Sequence, residues 1–332
     1  MVGRAIVEAS RAAGAPEGIF SLLFDSGIEV GRALVQHPAI KAGGFTGSRA
    51  GGRALMDLAA ARPEPIPFFA EMSSTNPFFV LPRAAAERPE QIAAGLYGSL
   101  TLGAGQFCTK PGLVLLGPDK GAQQLSEKLT ELMSTASDQV LLTAGISKSY
   151  ERGVEQRAKL RQVASSKPTS SGFRALPTLF ETELDSVMSD PHLEEELFGP
   201  STLMVRYDDR KQLLRFAEGL EGHLTATVHG TDQDLREFAD LIEVLETKVG
   251  RLVFNGYPTG VEVCHAMVHG GPYPSTSDAR FTSVGTQAIL RFARPVCFQN
   301  FPDTALPPEL QDGNPVGIWR TVNGQLSREV LS

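Results

Sequence analysis

The chain has 332 residues, 42% hydrophobic and 21% charged, a balance that fills a core and excludes an intrinsically disordered chain. A net charge of −7, with no basic stripe among its scattered Lys and Arg residues, excludes a nucleic-acid surface, and no apolar run approaches the ~20 residues that span a bilayer. Three scattered cysteines, Cys108, Cys264 and Cys297, without a CxxC pair, exclude a disulfide framework and a cysteine zinc site. The opening "MVGRAIVEASRAAGAPEG" carries charges throughout and has no signal-peptide core, so a cytoplasmic location is expected.

In chain order, "GRAIVEASRAAG" has apolar residues at helical spacing and stops at Gly14 with Pro16 beyond it. "IFSLLF" (residues 19–24) is a short apolar run before Asp25-Ser26-Gly27 and reads as a buried strand and a turn. "EVGRALVQHP" is helical, with His37 at the helix end, "IKAGGFTGS" a strand entering a glycine-rich turn, "RAGGRALMDLAAARP" a helix and "IPFFAEM" a strand. A long helix follows over residues 88–105, then a turn around Cys108 and the strand "GLVLLG". Helices are expected within 121–137 and 149–165, and "SSKPTSSGF" (165–173) is a loop too short to link independent domains. A second alternation follows: strand "STLMVRY", helix "DRKQLLRFAEGL", strand "LTATVHG", helix "DQDLREFADLIEVLE" and strand "GRLVFNG". The tail carries a helix-like "VGTQAILRFA" and an extended "RPVCFQNFP". Strands alternating with helices at this pitch imply a parallel sheet and an α/β fold.

Several residues along this pattern carry potential chemistry. "GGFTGSRAGG" places glycines and Ser48 between a strand and a helix, where backbone N–H groups and the positive helix end receive a phosphate; a plain tight turn is an equal reading. Glu71 ends an apolar strand, where α/β proteins place functional carboxylates and where capping or ion-paired carboxylates are also common. Cys108 taken alone is more often a small buried residue than a nucleophile, but it follows Gly-Ala-Gly and precedes Lys110, a setting suited to an exposed, activated thiolate. His265 and His269 stand four apart, a metal-binding spacing only on a helix; Gly270, Gly271 and the nearby prolines make a loop the better reading, and no metal is expected. A cysteine hydrolase using Cys108 with His265 as base stays open as an alternative.

Together and in this order, the pieces resemble the aldehyde dehydrogenase superfamily over essentially the whole chain. "GIFSLLFDSGIEVGRALVQHPAIKAGGFTGSRAGGRAL" is similar to the second nucleotide-binding stretch with its FTGS phosphate turn, "AEMSSTNP" to ELGGKNP, "GAGQFCTKPG" to the GQxC motif and "EEELFGP" to EEIFGP. The resemblance implies Cys108 as nucleophile, Glu71 as general base, Gly47 and Ser48 at the cofactor phosphates, and Glu196 and Phe198 at the nicotinamide ribose and ring. It implies NAD or NADP as cofactor, a small aldehyde as substrate, and a homo-oligomer (dimer or tetramer) assembled through "RPVCFQNFP". "MSST" after Glu71 and "YPTGVEVCHAMVHGGPYPSTSD" depart from the common pattern and look like the branch that oxidises 2-oxoglutarate semialdehyde (2,5-dioxopentanoate). Asp25 stands where most members have glycine. The family's N-terminal stretch, with its PWN-type Asn that completes the oxyanion hole, has no counterpart here, so an N-terminally truncated and catalytically crippled chain is expected. A non-catalytic oligomerising fragment is the companion alternative. The implied architecture is a partial Rossmann-type nucleotide-binding sheet over 1–72, an α/β catalytic domain over 73–275, and a C-terminal segment over 276–332 that carries the oligomerisation strand. Burial is expected to raise the pKa of Glu71.

Overall fold

The structure, a computed structural model, describes residues 1–164 and 172–331. It divides into two compact units, Met1–Arg291 and Phe292–Ser332. The first unit opens with helices α1 (Val2–Ala12) and α2 (Glu29–Gln36), strand β1 (Gly43–Thr46), helix α3 (Arg49–Ala60) and strand β2 (Phe68–Glu71). β1 and β2 pair in parallel, with Thr46 opposite Glu71, over a small core of Val35, Ala59 and Ile66.

The expected strand over residues 19–24 does not form. Ile19, Phe20, Leu23 and Phe24 are exposed, and no described strand lies beside them. An apolar run becomes a strand only when a neighbour takes its N–H and C=O groups, and here none does. α1 likewise buries no residue.

The core of the unit is a seven-stranded sheet. Its elements, in chain order, are β3 (Phe78–Val80), α4 (Pro82–Glu87), α5 (Pro89–Thr101), β4 (Leu113–Leu116), α6 (Lys120–Ser134), β5 (Gln139–Val140), α7 (Ala144–Gln156), β6 (Arg161–Ala164), β7 (Arg174–Ala175), β8 (Thr178–Glu183), α8 (Leu184–Ser189), β9 (Ser201–Arg206), α9 (Arg210–Gly219), β10 (His223–His229), α10 (Asp232–Glu237), α11 (Ala239–Glu246) and β11 (Val249–Phe254). β5 and β7 form a separate short antiparallel pair. The large sheet runs β11-β10-β3-β4-β9-β8-β6, parallel throughout except where β6 meets β8. Successive strand residues point to opposite faces. Phe79, Leu113, Leu115, Leu203 and Val205 therefore pack one face, with α9 and α11. Phe78, Val80, Val114, Leu116 and Met204 pack the other, with α5 and α6. Both faces are covered, which is why these strands read as continuous apolar runs.

Local departures have local causes. The helix expected to reach Gly105 ends at Thr101, and the one expected over 149–165 ends at Gln156, with residues 161–164 forming strand β6 instead. The helix expected over 232–246 splits at Phe238. β3 escaped notice because it spans three residues behind Asn76-Pro77, and β8 because "TLFETE" ends in charged residues. The loop expected over 165–173 lies, up to residue 171, outside the described residues. Residues 286–292 form a 3₁₀ turn rather than an α-helix. In the second unit Arg294–Pro302 carries no strand, while β12 (Arg320–Val322) and β13 (Gln325–Ser327) form a hairpin around Asn323-Gly324, both at positive φ.

One clamp positions the site. The backbone N–H of Met72 donates to Ser275 O (2.7 Å) and that of Ser277 to Ala70 O (2.9 Å), so residues 275–277 lie antiparallel along β2 at Glu71.

Candidate active site

Cys108 sits behind a strained turn. Gly103, Ala104 and Gly105 are three successive residues at φ 56°, 59° and 65°, a conformation that costs a residue with a Cβ about 1–2 kcal/mol. Gly105 admits no side chain, because a Cβ there would stand 2.3 Å from Gly199 O. The turn therefore locks the cysteine loop against the "EEELFGP" segment.

Asn76 holds the loop from the other side. Its fully buried Nδ2 donates to Cys108 O (2.8 Å) and Lys110 O (3.0 Å), and its Oδ1 accepts from the hydroxyls of Ser74 (2.8 Å) and Thr225 (3.0 Å). Asn76→Ala strands two carbonyls and two hydroxyls in the interior. We expect a loss of about 3 kcal/mol and a fall in Tm of roughly 6–10 °C, measured by thermal circular dichroism. An unchanged melt would show that Asn76 does not anchor the loop.

The expectation that Lys110 activates the thiol is corrected by where its side chain goes. Lys110 is buried and donates through Nζ to Leu197 O (3.1 Å) and Ser201 O (2.7 Å), bracing the residue 197–201 segment from beneath. Cys108 is half-buried, and burial together with the charge of Glu71 pushes its pKa up to about 12. The resting side chain is a thiol.

Glu71 ends β2 and is buried. Its carboxylate accepts from His269 Nε2 (3.1 Å), from the Ser283 hydroxyl and from the Cys108 thiol. Burial by itself would raise its pKa, as expected from the sequence; the hydrogen bonds from these three donors, His269 foremost, outweigh it and leave the carboxyl below its ordinary value. The direction is the reverse of the one expected, because that expectation counted desolvation and no partners.

The histidines also part company. His265 is exposed and bonds the Thr286 hydroxyl (3.1 Å), so it is not the imidazole beside Cys108. That place belongs to His269, 3% exposed, with Nε2 at 3.3 Å from Cys108 Sγ. The stretch holding both is not helical, so no i, i+4 pair forms. His269 is the neighbour of Cys108 and Glu71 that sequence reasoning did not single out. The available signal was the pair of glycines behind it: Gly271, at φ 148°, packs where a Cβ would meet His223 O at 2.2 Å.

Gly47 and Ser48 form the turn between β1 and α3. Gly47 N donates to Glu71 O (3.1 Å), and Ser48 Oγ caps α3 by accepting from Gly51 N (3.2 Å). Glu196 bonds Ser73 and the backbone of Ser74; burial raises its pKa, and the nearby Lys110, itself lowered by burial, offsets part of the rise. Gly47, Ser48, Glu71, Cys108, Glu196 and Phe198 all line one cleft of about 960 Å³. The turn at the N-terminus of the twelve-residue α3, with its backbone N–H groups, fits a phosphate, and the Glu196 carboxyl and Phe198 ring fit a ribose and a planar heterocycle. Among the described residues, no helix is long and apolar enough to cross a membrane.

A family model described as "Aldehyde dehydrogenase family" matches residues 1–292. An alpha-ketoglutaric semialdehyde dehydrogenase 2 from Azospirillum brasilense is 47% identical over 98% of this chain and 62% of its own length. An alpha-ketoglutaric semialdehyde dehydrogenase from Acinetobacter baylyi is 46% identical over 99% of this chain and 63% of its own. The chain thus spans less than two thirds of the length of these relatives. In fold it is similar to a gamma-glutamyl-gamma-aminobutyraldehyde dehydrogenase from Burkholderia cenocepacia, with a TM-score of 0.74 at 23% identity over 88% of this chain and 58% of that one. It is also similar to proline utilization A from Bradyrhizobium japonicum, with a TM-score of 0.75 at 24% identity over 88% and 30%.

Proposed function

The chain belongs to the aldehyde dehydrogenase family, and on that premise we propose that it serves the NAD(P)-dependent oxidation of 2,5-dioxopentanoate to 2-oxoglutarate, with Cys108 as nucleophile and Glu71 as general base. The observation that carries this reading is the convergence of six motif residues, from Gly47 to Phe198, on one cleft. The substrate follows from the names of the two relatives at 46–47% identity and from the departures "MSST" and "HGGPYPSTSD".

The chain's own groups divide the work. Cys108 Sγ attacks the carbonyl carbon: the C–S bond forms, the π electrons move to oxygen, and a thiohemiacetal results. The backbone N–H of Cys108, within reach of its own sulfur, would donate to the new oxyanion. Gly47 and Ser48 would hold the cofactor phosphates, and Glu196 and Phe198 its nicotinamide ribose and ring. When bound, the nicotinamide supplies the hydride acceptor. Glu71 then takes a proton from the water that opens the Cys108 thioester; its depressed pKa keeps it ionised, and so a competent acceptor, at neutral pH.

Residues 1–72 are read as the cofactor part, 73–275 as the catalytic part and 276–332 as the C-terminal segment. Assembly as a dimer or tetramer rests on the resemblance of Arg294–Pro302 to a subunit-pairing strand, and a native mass spectrum reads it. The activity is tested by incubating the chain with 2,5-dioxopentanoate and NAD⁺ or NADP⁺, following 2-oxoglutarate by mass spectrometry. In parallel, the aldehyde should protect Cys108 from iodoacetamide, since the first covalent step consumes the sulfur. Neither product nor protection would overturn the reading.

A further inference from the structure

Nucleophile and base share a single imidazole nitrogen. His269 Nε2 lies 3.3 Å from Cys108 Sγ and 3.1 Å from Glu71 Oε1, and the three atoms lie within 4.8 Å of one another. An ionised carboxylate offers only acceptors, so the nitrogen that faces it carries the hydrogen. The other nitrogen, Nδ1, is buried and has no partner among the described residues. A proton there would be an unsatisfied buried donor, so the neutral ring keeps its one N–H on Nε2. That places one donor between two acceptors, and excludes His269 as the base of a cysteine hydrolase.

The backbone of His269 is held on both sides. His269 N donates to Thr282 Oγ1 (2.8 Å), and Ser283 N (2.8 Å) and Ser283 Oγ (3.1 Å) both donate to His269 O. The Ser283 hydroxyl also donates to Glu71, so one serine ties the histidine backbone to the carboxylate.

We propose that His269 is a positioning residue whose Nε2–H rests on Glu71 while Cys108 is a thiol and turns to the sulfur once it is a thiolate. The inference rests on the reading of Cys108 and Glu71 as nucleophile and base. Its consequence is that the donor stabilises whichever group is most charged at each stage: the sulfur during attack, and the carboxylate once the sulfur is acylated. The thiol proton leaves to solvent in the cleft. Other charges face the trio. Glu196 opposes the thiolate and Arg251 favours it, while Asp278 and Arg291 flank the small cavity of about 20 Å³ on the far side of Glu71 and His269.

The test is the pH profile of Cys108 alkylation by iodoacetamide between about pH 7 and 10, with peptide mapping to separate Cys108 from Cys264 and Cys297. His269→Phe keeps the ring and removes the donor. Its profile should move up by about one pH unit, so that alkylation is about tenfold slower at each pH, because a donor to the charged form is lost. His269→Gln reaches the same place with an amide N–H and should return most of the rate; His269→Asn, too short to reach, should not. The Gln–Asn comparison decides the matter if the Phe variant does not fold. Equal profiles for wild type and Phe, or for Gln and Asn, would overturn the proposal. Because alkylation needs neither cofactor nor aldehyde, that outcome leaves the dehydrogenase reading standing. Failure of aldehyde to react at Cys108 would strike that reading alone.

Discussion

In Glu71→Gln, release of acid from Cys108 slows by about 10³-fold, within the range of 10²–10⁴ that a positioned general base contributes, while Cys108 itself is alkylated faster than in the wild-type chain. The two changes have opposite signs because Glu71 acts on the sulfur and on water in different ways. Toward water it is a proton acceptor, and an amide cannot take that role. Toward the resting sulfur it is a buried negative charge, and with burial it holds the thiol near 12. Removing the charge lowers that pKa, so more thiolate is present at any pH below it. The Gln side chain still accepts from His269, so the local packing survives the exchange. The check is a rapid-quench experiment with 2,5-dioxopentanoate and cofactor, in which the mutant accumulates an acyl adduct on Cys108 by peptide mass. An iodoacetamide rate at about pH 8 is measured alongside. Unchanged acid release, or slower alkylation than wild type, would remove Glu71 from the role of base.

How far the fold and site were legible in the sequence follows from which interactions each feature depends on. β4, β9 and β10 were visible because both faces of each are buried, and long apolar runs report that directly. Residues 19–24 carry the same kind of run and are not a strand, because pairing is a property of neighbours and not of the run. The ends of α5 and α7 were misjudged for a related reason. Three left-handed residues after Leu102 depend on the contact of Gly105 with Gly199, about ninety residues away. At the site, the resemblance of four ordered motifs picked out six residues that line one cleft, where their types alone had left structural readings open. The electrostatics were not legible. That Glu71 lies low depends on His269 and Ser283, residues 198 and 212 positions from it in the chain. No spacing rule links them; the clamp of residues 275–277 onto β2 does.

Cys108→Ser leaves a hydroxyl of nearly the same shape, and aldehyde oxidation in it falls by roughly 10⁶-fold, the scale on which loss of a covalent nucleophile acts. The size of the effect comes from the setting. With its pKa pushed up to about 12 by burial and the Glu71 charge, the free chain holds little thiolate near neutral pH. The cysteine survives this because a thiolate is intrinsically a strong nucleophile, and because Nε2–H and its own backbone N–H stand ready to receive the charge. A hydroxyl ionises far less readily than a thiol, and the same burial and the same Glu71 charge bear on it. Lys110 does not make up the difference, because its ammonium is turned to Leu197 and Ser201. Cys108→Ser should therefore melt within a few degrees of wild type, and yet give neither product nor an adduct at position 108 by mass mapping. A serine variant within about tenfold of the wild-type rate would show that the sulfur at position 108 is not the attacking atom, and the proposed chemistry would fall with it.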